Sequence, residues 1–219
     1  MVLLDGFEPS FLPYHGSVLP LHTMGAKFAT INIFMENSYY ITKLETNNMF
    51  DPTWKFIPKR HPLDLQINVM PFTDYFIKYL ESFNLLINST LVFYTTISHN
   101  FAHVDLKGNM ERANPALNYI ISGKRSVMNW YSNPKIKPEV RITPSGTLLN
   151  HFALEDLELI DSYEVTKNEL ALVRVDIPHS IQIRDEPRIC ISIRLEPTKH
   201  REWKTVVDEF ESKGLLIPR

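Results

Sequence analysis

The sequence predicts a mainly β domain, a sandwich or barrel of the jelly-roll type with flanking helices, and three observations carry that expectation. Between Leu91 and Leu195 the chain runs as short β-branched and aromatic segments separated by turn clusters such as Ser122-Gly123-Lys124 and Ser132-Asn133-Pro134, which is how closely spaced strands read. On either side of that block the apolar period lengthens to that of a helix. The length, 219 residues with 44% hydrophobic and 22% charged content, suits one good core, since sheet-rich domains of roughly 200–250 residues commonly stay single. The expected layout is one domain over residues 1–219, with strands, loop and helix in 1–90, the strand block in 91–195 and a terminal helix in 196–219.

Taken in order, Pro9, Pro13 and Pro20 keep the first stretch loop-like, and Phe28–Met35 and Ser38–Leu44 read as a strand pair joined through Glu36-Asn37. Pro52, Pro58 and Pro62 break up Asp51–Asp64 around Trp54, Phe56 and Ile57, giving a loop pinned by aromatics or a rim over a site. Phe72, Phe76, Tyr79, Leu80 and Phe83 recur at helical spacing, with Thr73 or Asp74 as N-cap, and predict an amphipathic helix over Phe72–Ile87. Strands follow at Leu91–Ile97, Phe101–Asp105, Leu117–Ile121, Ser126–Tyr131, Leu157–Val165, Glu169–Val175 and Arg188–Leu195, with Asn133–Leu149 read as loop. The last helix is expected to start at Thr198, to bury Trp203, Val206, Val207 and Phe210, and to stop in a left-handed turn at Gly214.

Composition excludes several function classes. The net charge is −2 and the longest basic runs are Lys59-Arg60 and Lys124-Arg125, so no nucleic-acid partner is expected. One cysteine, Cys190, rules out an internal disulfide or a CxxC zinc site and suits a reducing compartment. Met1–Ser10 lacks a basic and apolar leader, and no apolar run nears the ~18 residues of a membrane span; the expectation is a cytoplasmic protein with no membrane partner. A Gly-x-Ser-x-Gly elbow is absent, and the seven glycines form no phosphate-binding pattern.

Chemistry concentrates at Phe101-Ala102-His103-Val104-Asp105. Residues two apart in a strand share a face, so His103 and Asp105 present an imidazole and a carboxylate side by side. The most suggestive third ligand is His179, and two His with one carboxylate leave an iron's other positions open for a co-substrate and O2. His99 and His151 compete for the ligand role, although neither has a carboxylate two residues on; His15, His22, His61 and His200 fall in loop-like stretches. The strand Arg188–Leu195 alternates Ile189, Ile191, Ile193 and Leu195 with Arg188, Cys190, Ser192 and Arg194. Its polar face either meets solvent or, if buried, needs an anion, and a dicarboxylate ligand would supply one to the arginine fork.

The ordered set His103-Val104-Asp105, His179 and, nine positions later, Arg188 on an alternating strand resembles the Fe(II)- and 2-oxoglutarate-dependent oxygenases. Ala116-Leu117-Asn118, Met128-Asn129-Trp130-Tyr131, Leu172-Val173-Arg174, Pro178-His179 and Pro187-Arg188 through Arg194 are similar to small phage and marine-microbial members related to aspartyl/asparaginyl β-hydroxylases. The resemblance spans roughly Leu91 to Leu195. It implies a double-stranded β-helix, Fe(II) on His103, Asp105 and His179, and 2-oxoglutarate with its distal carboxylate on Arg188. It also implies hydroxylation of an amino acid, an aspartyl or asparaginyl side chain, or a small metabolite, with O2 consumed and succinate and CO2 released. The Arg-x-Ser arrangement of the family reads Arg188-Ile189-Cys190 here, which leaves Ser192, Tyr131 or Asn118 as alternative polar partners for the co-substrate. For Asn118 and Tyr131 a purely structural role stands beside that one. A cupin-type jelly roll that binds a metal or small acid without oxidative turnover is the competing reading, and Arg188 is the residue it does not require.

Overall fold

The structure is a computed structural model that describes residues 37–56, 63–67, 69–106, 115–123, 125–132, 137–142, 148–164, 166, 168–196 and 202–218. All of them belong to one compact unit, Glu36–Arg219. The expected strand Phe28–Met35, its turn at Glu36 and the histidines at 15, 22, 61 and 200 lie outside the described residues, and the last helix is capped at Glu202, not at the expected Thr198.

The described residues form twelve strands and two helices. The strands are β1 (Tyr39–Ile41), β2 (Leu63–Ile67), β3 (Ile87–Thr95), β4 (Phe101–Asp105), β5 (Ala116–Ser122) and β6 (Val127–Tyr131). They continue as β7 (Glu139–Ile142), β8 (Leu148–Ala153), β9 (Leu159–Glu164), β10 (Leu170–Val173), β11 (His179–Gln182) and β12 (Arg188–Leu195). The helices are α1 (Asp74–Glu81) and α2 (Trp203–Ser212). Two six-stranded sheets result, in the orders β1-β10-β5-β12-β3-β2 and β7-β8-β4-β11-β6-β9, every ladder antiparallel. The mainly β expectation holds.

Strand β12 lies between β3 and β5, and both of its faces are packed, Ile191 and Ile193 on one side and Cys190 on the other. Its isoleucines turn outward, where Ile191 and Ile193 join Leu117, Leu170 and Leu172 beneath Phe76 and Leu80 of α1 and Trp203, Val206, Val207 and Phe210 of α2. The other face of the same sheet meets the second sheet: Ala116, Ile120, Ala171, Val173 and Cys190 share a core with Met128, Trp130, Tyr163 and Ile181. The polar face of β12 is therefore interior, which decides between the two readings of the sequence.

Helix ends follow from local chemistry. Thr73 Oγ1 accepts the Phe76 N–H at 3.2 Å, satisfying a donor that the first turn leaves free. At the other end Asn84 takes φ 55°, the Asn84 N–H bonds the Glu81 carbonyl and the Leu85 N–H the Leu80 carbonyl. This Schellman closure stops α1 at Glu81, short of the expected Ile87, and buries Leu85 against the core. Gly214 closes α2 in the same way, at φ 68° with Leu215 N–H on the Phe210 carbonyl. Residues 51–56 are the aromatic-pinned loop the prolines suggested, Trp54 lying between Phe50 and Phe56. Strands β2, β7, β8 and β11 were not anticipated; β8 replaces the end of a supposed loop and pairs with both β4 and β7.

A Cβ at Gly214 meets nothing within 4 Å, so only the backbone conformation is penalised. Gly214→Ala is expected to cost about 1 kcal/mol in urea unfolding, and a loss above about 3 kcal/mol would contradict this assignment.

Candidate metal centre

The register of the second sheet puts three histidines in one row. His103 on β4 stands directly opposite His179 on β11 and His151 on β8. Opposed residues of antiparallel strands point to one face, and Asp105 joins them two residues on. Ala102 and Val104 point the other way, into a small cluster with Phe152. Trp130, opposite His179, is in the core between the sheets. The His-x-Asp face is thus the one turned toward the interior face of the first sheet.

Within that row His103, Asp105 and His179 offer ligand atoms that all lie within 4.8 Å of one another. The His103 and His179 rings are 4.3 Å apart, and His103 Nε2 is 3.5 Å from Asp105 Oδ1. That separation is long for a hydrogen bond and suits a shared ion, because two donors each about 2.1 Å from one cation lie about 3 to 4 Å apart. His179 Nδ1 is 3.0 Å from the Ile177 carbonyl, which holds the ring and directs Nε2 at the centre, the usual outer-shell device for a metal-binding histidine. Asp105 Oδ2 accepts from Arg194 Nη2 at 2.6 Å, leaving Oδ1 toward His103. The donor set fits a divalent transition metal, with His103, Asp105 and His179 as the residues that would hold it.

Charge states match that fit. Burial lowers the His103 and His179 pKa values, and each of these rings has a charged or imidazole neighbour as well, so both are neutral with a lone pair available. Burial pushes the Asp105 carboxyl up, but Arg194, His179 and His103 together outweigh it and hold the group at about 2. His99 also lies close: burial, then His179 and Arg188, bring it down to about 4. Its ring stacks on Phe101, and neither it nor His151 belongs to the ligand grouping.

The other expected site residues divide. Arg188 opens β12 and is 4% exposed, with its Nε lacking any hydrogen-bond partner and no ion pair to it among the described residues. Gly123, at φ 96°, makes this placement possible, since a Cβ there would come within 2.6 Å of the Arg188 Cα; its N–H bonds Glu186 Oε1 at 3.0 Å. Arg188 and Asn118 line one narrow pocket together with Tyr163, Glu169 and apolar neighbours. Asn118 Oδ1 is buried without a partner, and Asn118 stands directly opposite Ser192, so both belong to the interior face.

Tyr131 does not. It packs against the Ala102 and Val104 cluster and its hydroxyl pairs with Ser180 Oγ at 3.0 Å. Strand alternation sends it to the face away from His103 and Asp105, so it is a structural tyrosine and is withdrawn as a co-substrate contact.

Sequence reasoning missed the Arg194–Asp105 bond and the Tyr163–Glu169 hydrogen bond in the cavity wall. Alternation placed Arg194 on the correct face, but only the packing of one sheet on the other supplies its partner. No family model, curated protein or solved structure matches the chain. Among the described residues no helix is long and apolar enough to cross a membrane.

Two outcomes follow from this geometry. A histidine with a folded pKa below its unfolded one leaves the unfolded chain holding more protons, so stability rises with pH. For His99 the window runs from 6.5 down to about 4. The metal-free protein is expected to lose up to about 3 kcal/mol from that one group as pH falls across the window, and His103 and His179 add loss of the same sign. Denaturant unfolding at pH 7.5 and pH 5 checks this, with a flat profile as the contrary result. Gly123→Ala, strained and forced against β12 backbone, is expected to cost about 2–4 kcal/mol, clearly more than Gly214→Ala in the same assay.

Proposed function

We propose that this chain is an Fe(II)- and 2-oxoglutarate-dependent oxygenase on a double-stranded β-helix, hydroxylating a C–H bond of an amino acid, an aspartyl or asparaginyl side chain, or a small metabolite. The observation that carries the reading is Arg188. A buried guanidinium without a carboxylate partner is costly, and this one lines a cavity on the same interior face that the two-His, one-Asp set looks onto. A dicarboxylate lying between the ligand set and Arg188 would satisfy both ends.

Strand order supports the fold. Numbering β3, β4, β5, β6, β9, β10, β11 and β12 as one to eight, the central pairings run six-three-eight-one in one sheet and two-seven-four-five in the other, as in a jelly roll. The His-x-Asp strand is then the second, the distal histidine opens the seventh and Arg188 opens the eighth.

Bound at this centre, Fe(II) and the 2-oxo acid supply O2 activation coupled to oxidative decarboxylation. The protein's contribution is arrangement. His103 and His179 are held neutral and Asp105 ionised, the protonation states a divalent cation requires. Arg188 offers a planar fork that matches a carboxylate in two bonds, and Asn118 adds an amide beside it. Ile120, Met128, Ala171 and Val173 supply apolar walls around the Arg188 end of the site. The cupin-type alternative gives Arg188 no task.

Mixing the protein anaerobically with Fe(II) and 2-oxoglutarate is expected to develop a visible charge-transfer band, and air is expected to release succinate. His103→Ala and Asp105→Ala should abolish both. Arg188→Ala should raise the 2-oxoglutarate requirement about 10- to 100-fold, the value of a hydrogen-bonded charge, with metal content unchanged. Metal binding without band or succinate would favour the cupin-type reading, and loss of metal from Arg188→Ala would mean its role is misassigned.

A further inference from the structure

Asp105 has two oxygens and two claims on them, and the claims come from different sheets. Oδ1 faces His103 Nε2 at 3.5 Å, within the ligand grouping. Oδ2 is held at 2.6 Å by Nη2 of Arg194, which reaches across from β12. Both side chains are mostly buried, 14% of Arg194 and 21% of Asp105 remaining exposed. The register gives Arg194 small neighbours, Ala116 on β5 and Ser89 on β3, so its side chain has room to extend off the sheet toward β4.

A charge-assisted bond of this length is among the stronger polar contacts in a protein, and breaking one partner out of a buried pair leaves the other charge stranded. Outer-shell partners of ligating carboxylates fix how the ligand meets its metal. Arg188 cannot take this part: it is six residues earlier on the same strand and lines the cavity instead.

We propose that Arg194 is a positioning residue that restrains Asp105 to a single metal bond through Oδ1. The inference rests on the metal reading of the site. With Oδ2 held by Arg194, the protein would offer a metal three donor atoms, and its other positions would be left to a chelating 2-oxo acid and O2. If Oδ2 were released it would be drawn to the nearest cation, and a two-oxygen carboxylate would compete with the chelate for a position. Arg194 therefore protects co-substrate chelation without touching the co-substrate carboxylate that Arg188 receives.

The test uses Co(II) alone as a spectroscopic probe, then Fe(II) with 2-oxoglutarate under argon, on the wild-type chain and on Arg194→Met and Arg194→Gln. Expected are Co(II) binding by all three, a wild-type visible spectrum in Arg194→Gln, which keeps an N–H donor, and an altered spectrum in Arg194→Met. The charge-transfer band at a fixed 2-oxoglutarate concentration should fall at least about tenfold in Arg194→Met alone, the equivalent of one charge-assisted hydrogen bond. Arg194→Met matching the wild type in both spectra overturns the proposal while leaving the metal site standing. Failure of the wild type to bind Co(II) overturns both.

If Arg194→Met does not fold, Asp105→Gly supplies the second route, because it removes the carboxylate that Arg194 holds. Added formate is then expected to restore Co(II) affinity at least tenfold in Asp105→Gly and not in Asp105→Gly/Arg194→Ala, which has no side-chain donor to hold it. Equal rescue in both, or rescue in neither, overturns the anchoring role.

Discussion

Burying the polar face of β12 is the constraint on which the rest of the molecule depends. The strand is central in its sheet, so the isoleucines that face the helices cannot be buried without also carrying Arg188, Cys190, Ser192 and Arg194 into the space between the sheets. Two guanidinium groups in such a place each demand an anion. The second sheet answers one of them with Asp105. The other lines a pocket on the same interior face.

Much of the fold was legible where periodicity was strong. β4, β6 and β12 fell within about a residue of their predicted limits, and the buried face of α2 matches, residue for residue, the stripe Trp203, Val206, Val207 and Phe210. The misses share a cause. β8 reads poorly because His151 and Asn150 stand side by side in it, one on each face, and this polar pair breaks the alternation that marks a strand. β7 is exposed along its whole length, and an edge strand with no buried face imposes no hydrophobic pattern on its sequence. The extra length given to α1 came from continuing an apolar stripe past Asn84, whose left-handed conformation is a tertiary and local compromise that periodicity does not register.

The site was legible in a different way. His103 and Asp105 are linked by local geometry alone, which a sequence displays directly. His179 becomes a partner only through the β4·β11 register, and the order of residues along the chain carried that expectation where spacing alone could not. Tyr131 shows the limit of the approach: the sequence places it one residue from Trp130, and a single step along a strand exchanges the interior for the opposite face. Arg194 shows the converse. Its face was readable from Arg188 by counting in twos, yet its partner belongs to another sheet, and no one-dimensional pattern specifies how two sheets are set against each other.

The two arginines of β12 then divide a single electrostatic task. Six residues apart on one strand and on one face, they lie about 20 Å apart at some 3.3 Å per residue, too far to share an anion. Arg194 meets a carboxylate of the protein, and that pairing helps keep Asp105 ionised despite burial. Among the described residues Arg188 has no such carboxylate partner, and Gly123 gives up ordinary backbone conformation so that the β5–β6 turn can pass against it. The base of the Arg188 side chain is packed closely by that turn, and the residue is 4% exposed. The simplest way to satisfy it is a carboxylate that arrives from outside, and the direction from which one can reach it is the interior space onto which His103, Asp105 and His179 also look.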